Sequence, residues 1–355
     1  MILPNNMASR KPRGVHLVGS VPLKSAQDVF RIVSAVLGDR LRRIPDGETG
    51  KRAIWIGWQR HIFAEHPLFD SVPAEPNDPL PIPHVRLRPG VAPSEVSFGR
   101  LGYADAAKMS YAEFSRLKHL GVIPARCRFQ VSLPTPLAPI GVFVAQDSQL
   151  ALERPYEERL LGEVDEIVSS IPHAELGIQW DICVEMWLWE GWLKSQLADV
   201  KKSIIERLTR ISARVPSDVE LGYHLCYGDW NHQHMQEPLD AGNLVEIANA
   251  ISAKVSRPIQ WIHMPVPRSR TDDAYFAPLK NLKLHPETEL YLGLVDLSDG
   301  AEGTWARIET ARRHVESFGV ATECGMGRRS PDRGGAPETF PELLRVHAEV
   351  SDPVT

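Results

Sequence analysis

The sequence predicts a (β/α)8 barrel, and three observations carry that expectation. Eight short apolar runs have the length and residue types of buried strands. Helical patterns, with apolar residues three and four apart, lie between most of them, and polar residues gather at the C-terminal ends of the runs. A chain of 355 residues, 43% of them hydrophobic, can bury such a core, so a single barrel domain over residues 1–355 is expected.

In chain order the strand runs are GVHLVGS (14–20), LRRIPDG (41–47), RFQVSL (128–133), GIQWDIC (177–183), ELGYHLC (220–226), IQWIHM (259–264), ELYLGLV (289–295) and GVATEC (319–324). The helical patterns are LLGEVDEIVSSI, VKKSIIERLTRISARV, AGNLVEIANAISAKV and TWARIETARRHVESF. A long insertion follows the second strand. Residues 50–127 hold eight prolines between Pro67 and Pro93, then the helical stretch SYAEFSRLKHLG, and are expected to form an excursion over the C-terminal mouth of the barrel.

Composition excludes several classes of function. A formal net charge of −5 without a long Lys/Arg run speaks against a general nucleic-acid or anionic-membrane surface. The N-terminal MILPNNMASRKPRG lacks an apolar signal core, and no segment approaches the roughly 18 apolar residues of a membrane span, so a cytoplasmic location is expected. Four cysteines in so long a chain do not make a disulfide framework; reduced thiols, some free to bind metal, are expected.

Catalytic groups of such barrels sit at the C-terminal strand ends. The polar residues there are Ser20, Asp46, Glu48, Asp181, Glu185, His224, Cys226, His263, Asp296 and Cys324. A strand alternates its side chains, so His224 and Cys226 share one face. Cys324, in ATECGMGRR, stands where the last strand meets a glycine-containing loop. One imidazole and two thiolates form a set that zinc accepts, with a fourth position left for substrate. The simpler alternative is a buried cysteine acting as a small hydrophobe and a strand histidine satisfied by hydrogen bonds.

Five of these stretches resemble the C-terminal catalytic barrel of cobalamin-independent methionine synthase, within the superfamily that includes uroporphyrinogen decarboxylase. LVGSVP resembles its I-G-S-F-P, DGETGKR its H-G-E-x-x-R-N-D, WDICVE its I-D-E-P-A-L-R-E, HLCY its H-M-C-Y and ECGMGRR its D-C-G-L-K-T-R, in the same order. The resemblance implies Zn2+ held by His224, Cys226 and Cys324, all three taking part in catalysis. It also implies that Glu48, Asp181 and a backbone group of Ser20 grip the ammonium of homocysteine. The alternative for the two carboxylates is a structural ion pair with Arg43, Arg52 or Lys51.

The departures from the family matter as much. Its fourth zinc ligand is a glutamate where this chain has Pro265, leaving water, the substrate thiol or His263 for that place. Its folate-stacking tryptophan is missing from VSLPTPLAPIG, and its proton-donating histidine is Ser298 in VDLSDG. The implied function is a zinc-dependent methyltransferase that activates homocysteine or a similar aminothiol as a zinc-bound thiolate. The alternative is a zinc-dependent alkyl-thiol transferase using another electrophile such as an epoxide. A third reading is a barrel that stores or senses zinc. The partners implied are small molecules, a thiol and a methyl or alkyl donor, and a donor-delivering protein is compatible with them. The oligomeric state is not encoded legibly.

Overall fold

A computed structural model describes residues 11–74, 80–228 and 234–354. Residues 75–79 of the proline-rich interval and the first ten residues of the N-terminal stretch lie outside them. The apolar runs form a seven-stranded parallel sheet, with an antiparallel pair inserted after its first strand. Its strands are β1 (Arg43–Pro45), β4 (Arg128–Pro134), β5 (Leu176–Ile182), β6 (Glu220–Leu225), β7 (Trp261–Pro265), β8 (Glu289–Val295) and β9 (Gly319–Thr322), adjacent in that order. The inserted pair is β2 (Phe69–Val72) and β3 (His84–Leu87). Every residue of β5 and β7 is buried, as strands covered on both faces require.

The expected first strand behaves differently. Val15 makes one parallel bridge to Leu41 and another to Val320 of β9, and the segment contains no longer ladder. The sheet therefore curls until its two edges lie on either side of Val15. The ladder stops because side chains from inside the sheet claim the carbonyls beyond it. Gln130 donates to Leu17 O at 3.0 Å and to Val18 O at 3.1 Å, Ser132 to Val18 O at 3.0 Å, and Gln179 to Val18 O at 2.6 Å. Val18 O, accepting from three side chains, has no lone pair left for a neighbouring strand.

Helices cover the outside. Helix Ala26–Leu37 starts at Ser25, whose hydroxyl accepts from the Asp28 amide, and buries Val29, Phe30, Val33 and Leu37 as one stripe. Within the interval 50–127, helix Tyr103–His119 packs on helices Ala26–Leu37 and Gln146–Ser170, taking the crossover position between β1 and β4. The rest of that interval carries short 3-10 turns, the short helix Arg60–Ala64 and the β2–β3 pair. No helix among the described residues is long and apolar enough to cross a membrane.

At the N-terminal end of the sheet, Arg43 closes the floor. Its guanidinium meets Glu220 at 2.5 Å and Glu289 at 3.2 Å and lies 4.1 Å from the Trp261 ring centroid. A buried cation is tolerable only when paired in this way. Trp261 fills the interior because residue 222 is glycine: a Cβ there would sit 2.0 Å from the indole.

Candidate metal and thiol site

The polar groups of the opposite, C-terminal end are placed by two strand ends. β6 delivers His224, and one residue beyond the strand the Cys226 amide still donates to Ile182 O at 2.9 Å, so both side chains stay on one face. Beyond β9, the Thr322 hydroxyl donates to Cys324 O at 2.7 Å and fixes the turn that presents Cys324. The three ligand atoms lie within 4.8 Å of one another, and all three residues are buried.

Cys226 Sγ is 3.6 Å from Cys324 Sγ, and Cys324 Sγ is 3.6 Å from His224 Nε2. Zinc–sulfur bonds of about 2.3 Å and zinc–nitrogen bonds of about 2.0 Å in a tetrahedron give edges of about 3.8 and about 3.6 Å. The donor set therefore suits zinc in its chemistry, and two of its three edges match a tetrahedron, the three atoms together lying within 4.8 Å. It is too open for a disulfide, whose sulfurs stand about 2.0 Å apart. Burial lowers the pKa of His224 well below its usual value, keeping the imidazole neutral as a ligand must be.

His263 sets the tautomer of His224. A carbonyl can only accept, so the 3.0 Å contact between His263 Nε2 and Thr322 O places a proton on that nitrogen. Burial lowers the His263 pKa to about 3, so its Nδ1 carries a lone pair. That lone pair accepts from His224 Nδ1–H at 2.7 Å, which leaves His224 Nε2 unprotonated beside Cys324. Both ring nitrogens of His263 are thus spent on orienting His224, and His263 does not supply a fourth ligand. Pro265, where the resembling family has a glutamate, uses its carbonyl to accept from the Tyr275 hydroxyl at 3.0 Å.

A cavity of about 310 Å³ opens on the three ligand residues and is lined also by Ser20, Glu48 and Asp181. All six site residues expected from sequence meet there. The Ser20 carbonyl accepts from the amides of Met326 at 2.7 Å and Gly327 at 3.1 Å, which uses its two lone pairs, whereas its hydroxyl is buried without a partner. Asp181 accepts from Gln179 at 2.9 Å. Glu48 stands at φ 49, held by Asp46, which accepts from the Glu48 amide at 3.0 Å; its carboxylate packs over Gly19, where a Cβ would lie 2.5 Å from it and displace it.

Burial raises the pKa of Glu48 to about 7, opposed by the nearby Arg328 and Arg52. Burial, then the neighbouring Glu48 charge, raises Asp181 well above the usual carboxylate range. Of the arginines named as alternative partners, Arg43 pairs on the floor with Glu220 and Glu289, whereas Arg52 bonds Asp46 at 2.5 Å and its charge still acts on Glu48.

Other polar strand-end residues do not line this cavity. Asp296 binds Arg329 at 2.9 Å and Arg333 at 2.7 Å, and Ser298 donates to Asp296 at 2.6 Å. Glu185 lies buried in the helix Val184–Trp189, its pKa raised by burial to about 7. Among the lining residues that sequence reasoning missed are Cys183, Trp187, Trp55, Arg60 of the insertion and Arg328, whose Nη2 is 3.9 Å from Cys324 Sγ. Cys183 ends the WDIC stretch and Arg328 lies within ECGMGRR, so both positions were legible; nothing local marks Trp55 or Trp187.

No family model and no curated protein matches this chain. Among solved structures, a Listeria monocytogenes protein assigned as a vitamin-B12 independent methionine synthase is similar over 97% of this chain and 100% of its own, at 12% identity and a TM-score of 0.53. A methyltransferase from Methanosarcina mazei aligns over 96% of this chain and 95% of its own, at 12% identity and a TM-score of 0.49. The first likeness is one of fold.

Proposed function

We propose that the protein is a zinc-dependent transferase that passes a methyl or alkyl group to the sulfur of a small thiol, homocysteine or a similar aminothiol. The observation that carries this reading is the meeting of His224, Cys226 and Cys324, their ligand atoms within 4.8 Å of one another, on a cavity that also holds Glu48 and Asp181. The architecture we infer is a single closed (β/α)8 barrel, its eighth strand the segment at Val15, with residues 50–127 lying partly over the C-terminal mouth.

A zinc ion held by the three residues supplies a Lewis acid that keeps a substrate thiol deprotonated near neutral pH. His263 holds His224 in the tautomer that binds. Glu48 and Asp181 grip the ammonium, a buried cation that relieves their mutual repulsion, and the Ser20 hydroxyl accepts from it. The three cavity thiols suit a reducing, cytoplasmic compartment.

The second reading keeps the metal and the thiol but uses another electrophile, such as an epoxide. One observation favours it: Ser298, at the place of the family's proton donor, is tied to Asp296 and Arg268 rather than facing the cavity. Metal-loaded protein should gain a sulfur ligand at the zinc X-ray absorption edge when mixed with the physiological thiol. A panel of thiols that leaves the edge unchanged would defeat both readings.

A further inference from the structure

Two residues of one loop act on the same carboxylate. Between β1 and the helix Arg60–Ala64 the chain carries Glu48 and Trp55, and both line the cavity beside Asp181. Burial and the Glu48 charge raise the pKa of Asp181, while hydrogen bonds from Gln179 and from the Trp55 indole oppose them. Gln179 belongs to the same strand as Asp181 and donates at 2.9 Å; Trp55 comes from the insertion.

We propose that Trp55 is a positioning residue for the amino group of the thiol: its indole N–H, together with Gln179, holds the Asp181 carboxylate in place for an ammonium shared with Glu48. The inference rests on the aminothiol reading above and deepens it.

Backbone strain supports the assignment. Among the described residues only Glu48 and Trp55 are non-glycine residues at positive φ, and they lie in one loop. Trp55 has φ 38 and ψ −112, a region that a bulky side chain disfavours and that persists only where the surroundings impose it. Asp46 anchors the start of that loop. It accepts from the Glu48 amide at 3.0 Å, from Arg52 at 2.5 Å and from the Ser110 hydroxyl of helix Tyr103–His119 at 2.7 Å. The preceding Ile54 is 69% exposed, so the turn leaves an apolar residue in solvent while it carries the indole inward. A glycine at position 55 would relieve the strain but would take away the bond to Asp181.

The choice of an indole has a physical reason. Two carboxylates awaiting a cation repel each other, and burial favours their neutral forms, whereas gripping an ammonium requires charge. Arg328 acts on both carboxylates and favours the charged forms, yet as a cation it also opposes the ammonium. A neutral N–H donor favours charged Asp181 and brings no positive charge of its own.

The indole bond and the binding of the amino group can be read separately in the full, zinc-loaded chain. The Trp55 indole N–H resonance is the one missing from Trp55→Phe, and it should shift upfield in Asp181→Ala, which removes its acceptor. In calorimetry, Trp55→Phe should reduce the preference for homocysteine over 4-mercaptobutyrate about tenfold and leave the affinity for 4-mercaptobutyrate nearly unchanged. A ring that merely fills space would move both thiols together. In the Asp181→Ala background, Trp55→Phe should cost homocysteine nothing further, because the two residues act as one unit. Asp181→Asn repeats the cycle should the alanine variant fail to fold. A resonance indifferent to Asp181→Ala, an unchanged preference in Trp55→Phe, or additive losses in the double variant would overturn the inference. Equal binding of the two thiols by the natural protein defeats the aminothiol reading instead, and the resonance then decides by itself whether Trp55 holds Asp181.

Discussion

His224 Nδ1 lies 2.7 Å from His263 Nδ1, and the Thr322 carbonyl at the far side of His263 decides which of them carries the proton between them. The protonation state of a candidate metal ligand is therefore dictated, through the single side chain of His263, by a backbone carbonyl. Replacing His263 with alanine should lower zinc affinity about 10- to 100-fold, because an unoriented His224 loses its tautomer and ring position. Competition against a chromophoric chelator would measure it; unchanged affinity would mean that His263 is only a filler.

Purified protein should carry one zinc per chain, and Cys226→Ser or Cys324→Ser should lose most of it. A hydroxyl is a harder and weaker ligand than a thiolate. Elemental analysis decides, and full occupancy in either variant would remove the proposed centre.

The carboxylate pair should discriminate thiols by their amino group. Homocysteine should bind more tightly than 4-mercaptobutyrate to the natural protein, and Glu48→Gln or Asp181→Asn should cost homocysteine roughly 2–4 kcal/mol while leaving the deaminated thiol nearly unaffected. Calorimetry on the three proteins compares them directly. Equal affinity of the two thiols for the natural protein would end the aminothiol reading.

Glu48 also makes stability depend on pH in a definite direction. Its pKa is raised in the folded state to about 7, so between about 4.5 and 7 the native chain holds a proton that the unfolded chain has released. Stability is then greatest below that window and falls as pH rises through it. Glu48→Gln, neutral throughout, should raise the unfolding temperature more at pH 8 than at pH 5. Scanning calorimetry of metal-free protein at both values would show it; an equal shift at both would contradict the assigned burial.

Gly222→Ala should be strongly destabilising, by about 3 kcal/mol or more, since its Cβ would lie 2.0 Å from Trp261 and the indole is walled in by Arg43 and His16. Urea denaturation gives the number. A loss under 1 kcal/mol would mean that the barrel interior can repack.

Several features were legible because they are local. The alternation of ELGYHLC determines that His224 and Cys226 share a face whatever the chain does elsewhere. The β8 run 289–295 coincides with its strand, and the helical pattern at 200–215 becomes helix Val200–Ser212, because periods of two and of 3.6 residues need no distant partner. Boundaries shifted where a distant group intervened. The run 14–20 reads as a strand yet forms only bridges, since Gln130, Ser132 and Gln179 take its carbonyls.

The order of the seven parallel strands, the strand-end position of Asp181 and the shared face of His224 and Cys226 follow from the sequence by itself. Tertiary structure alone decided that Cys324 comes within 3.6 Å of both, that His263 turns from candidate ligand to orienting residue, and that Trp55 from the insertion faces the same cavity. The reason is geometric: side-chain direction along a strand is set by its own backbone, whereas the distance between two strand ends depends on how far the whole sheet curls and which carbonyls remain free to stop it.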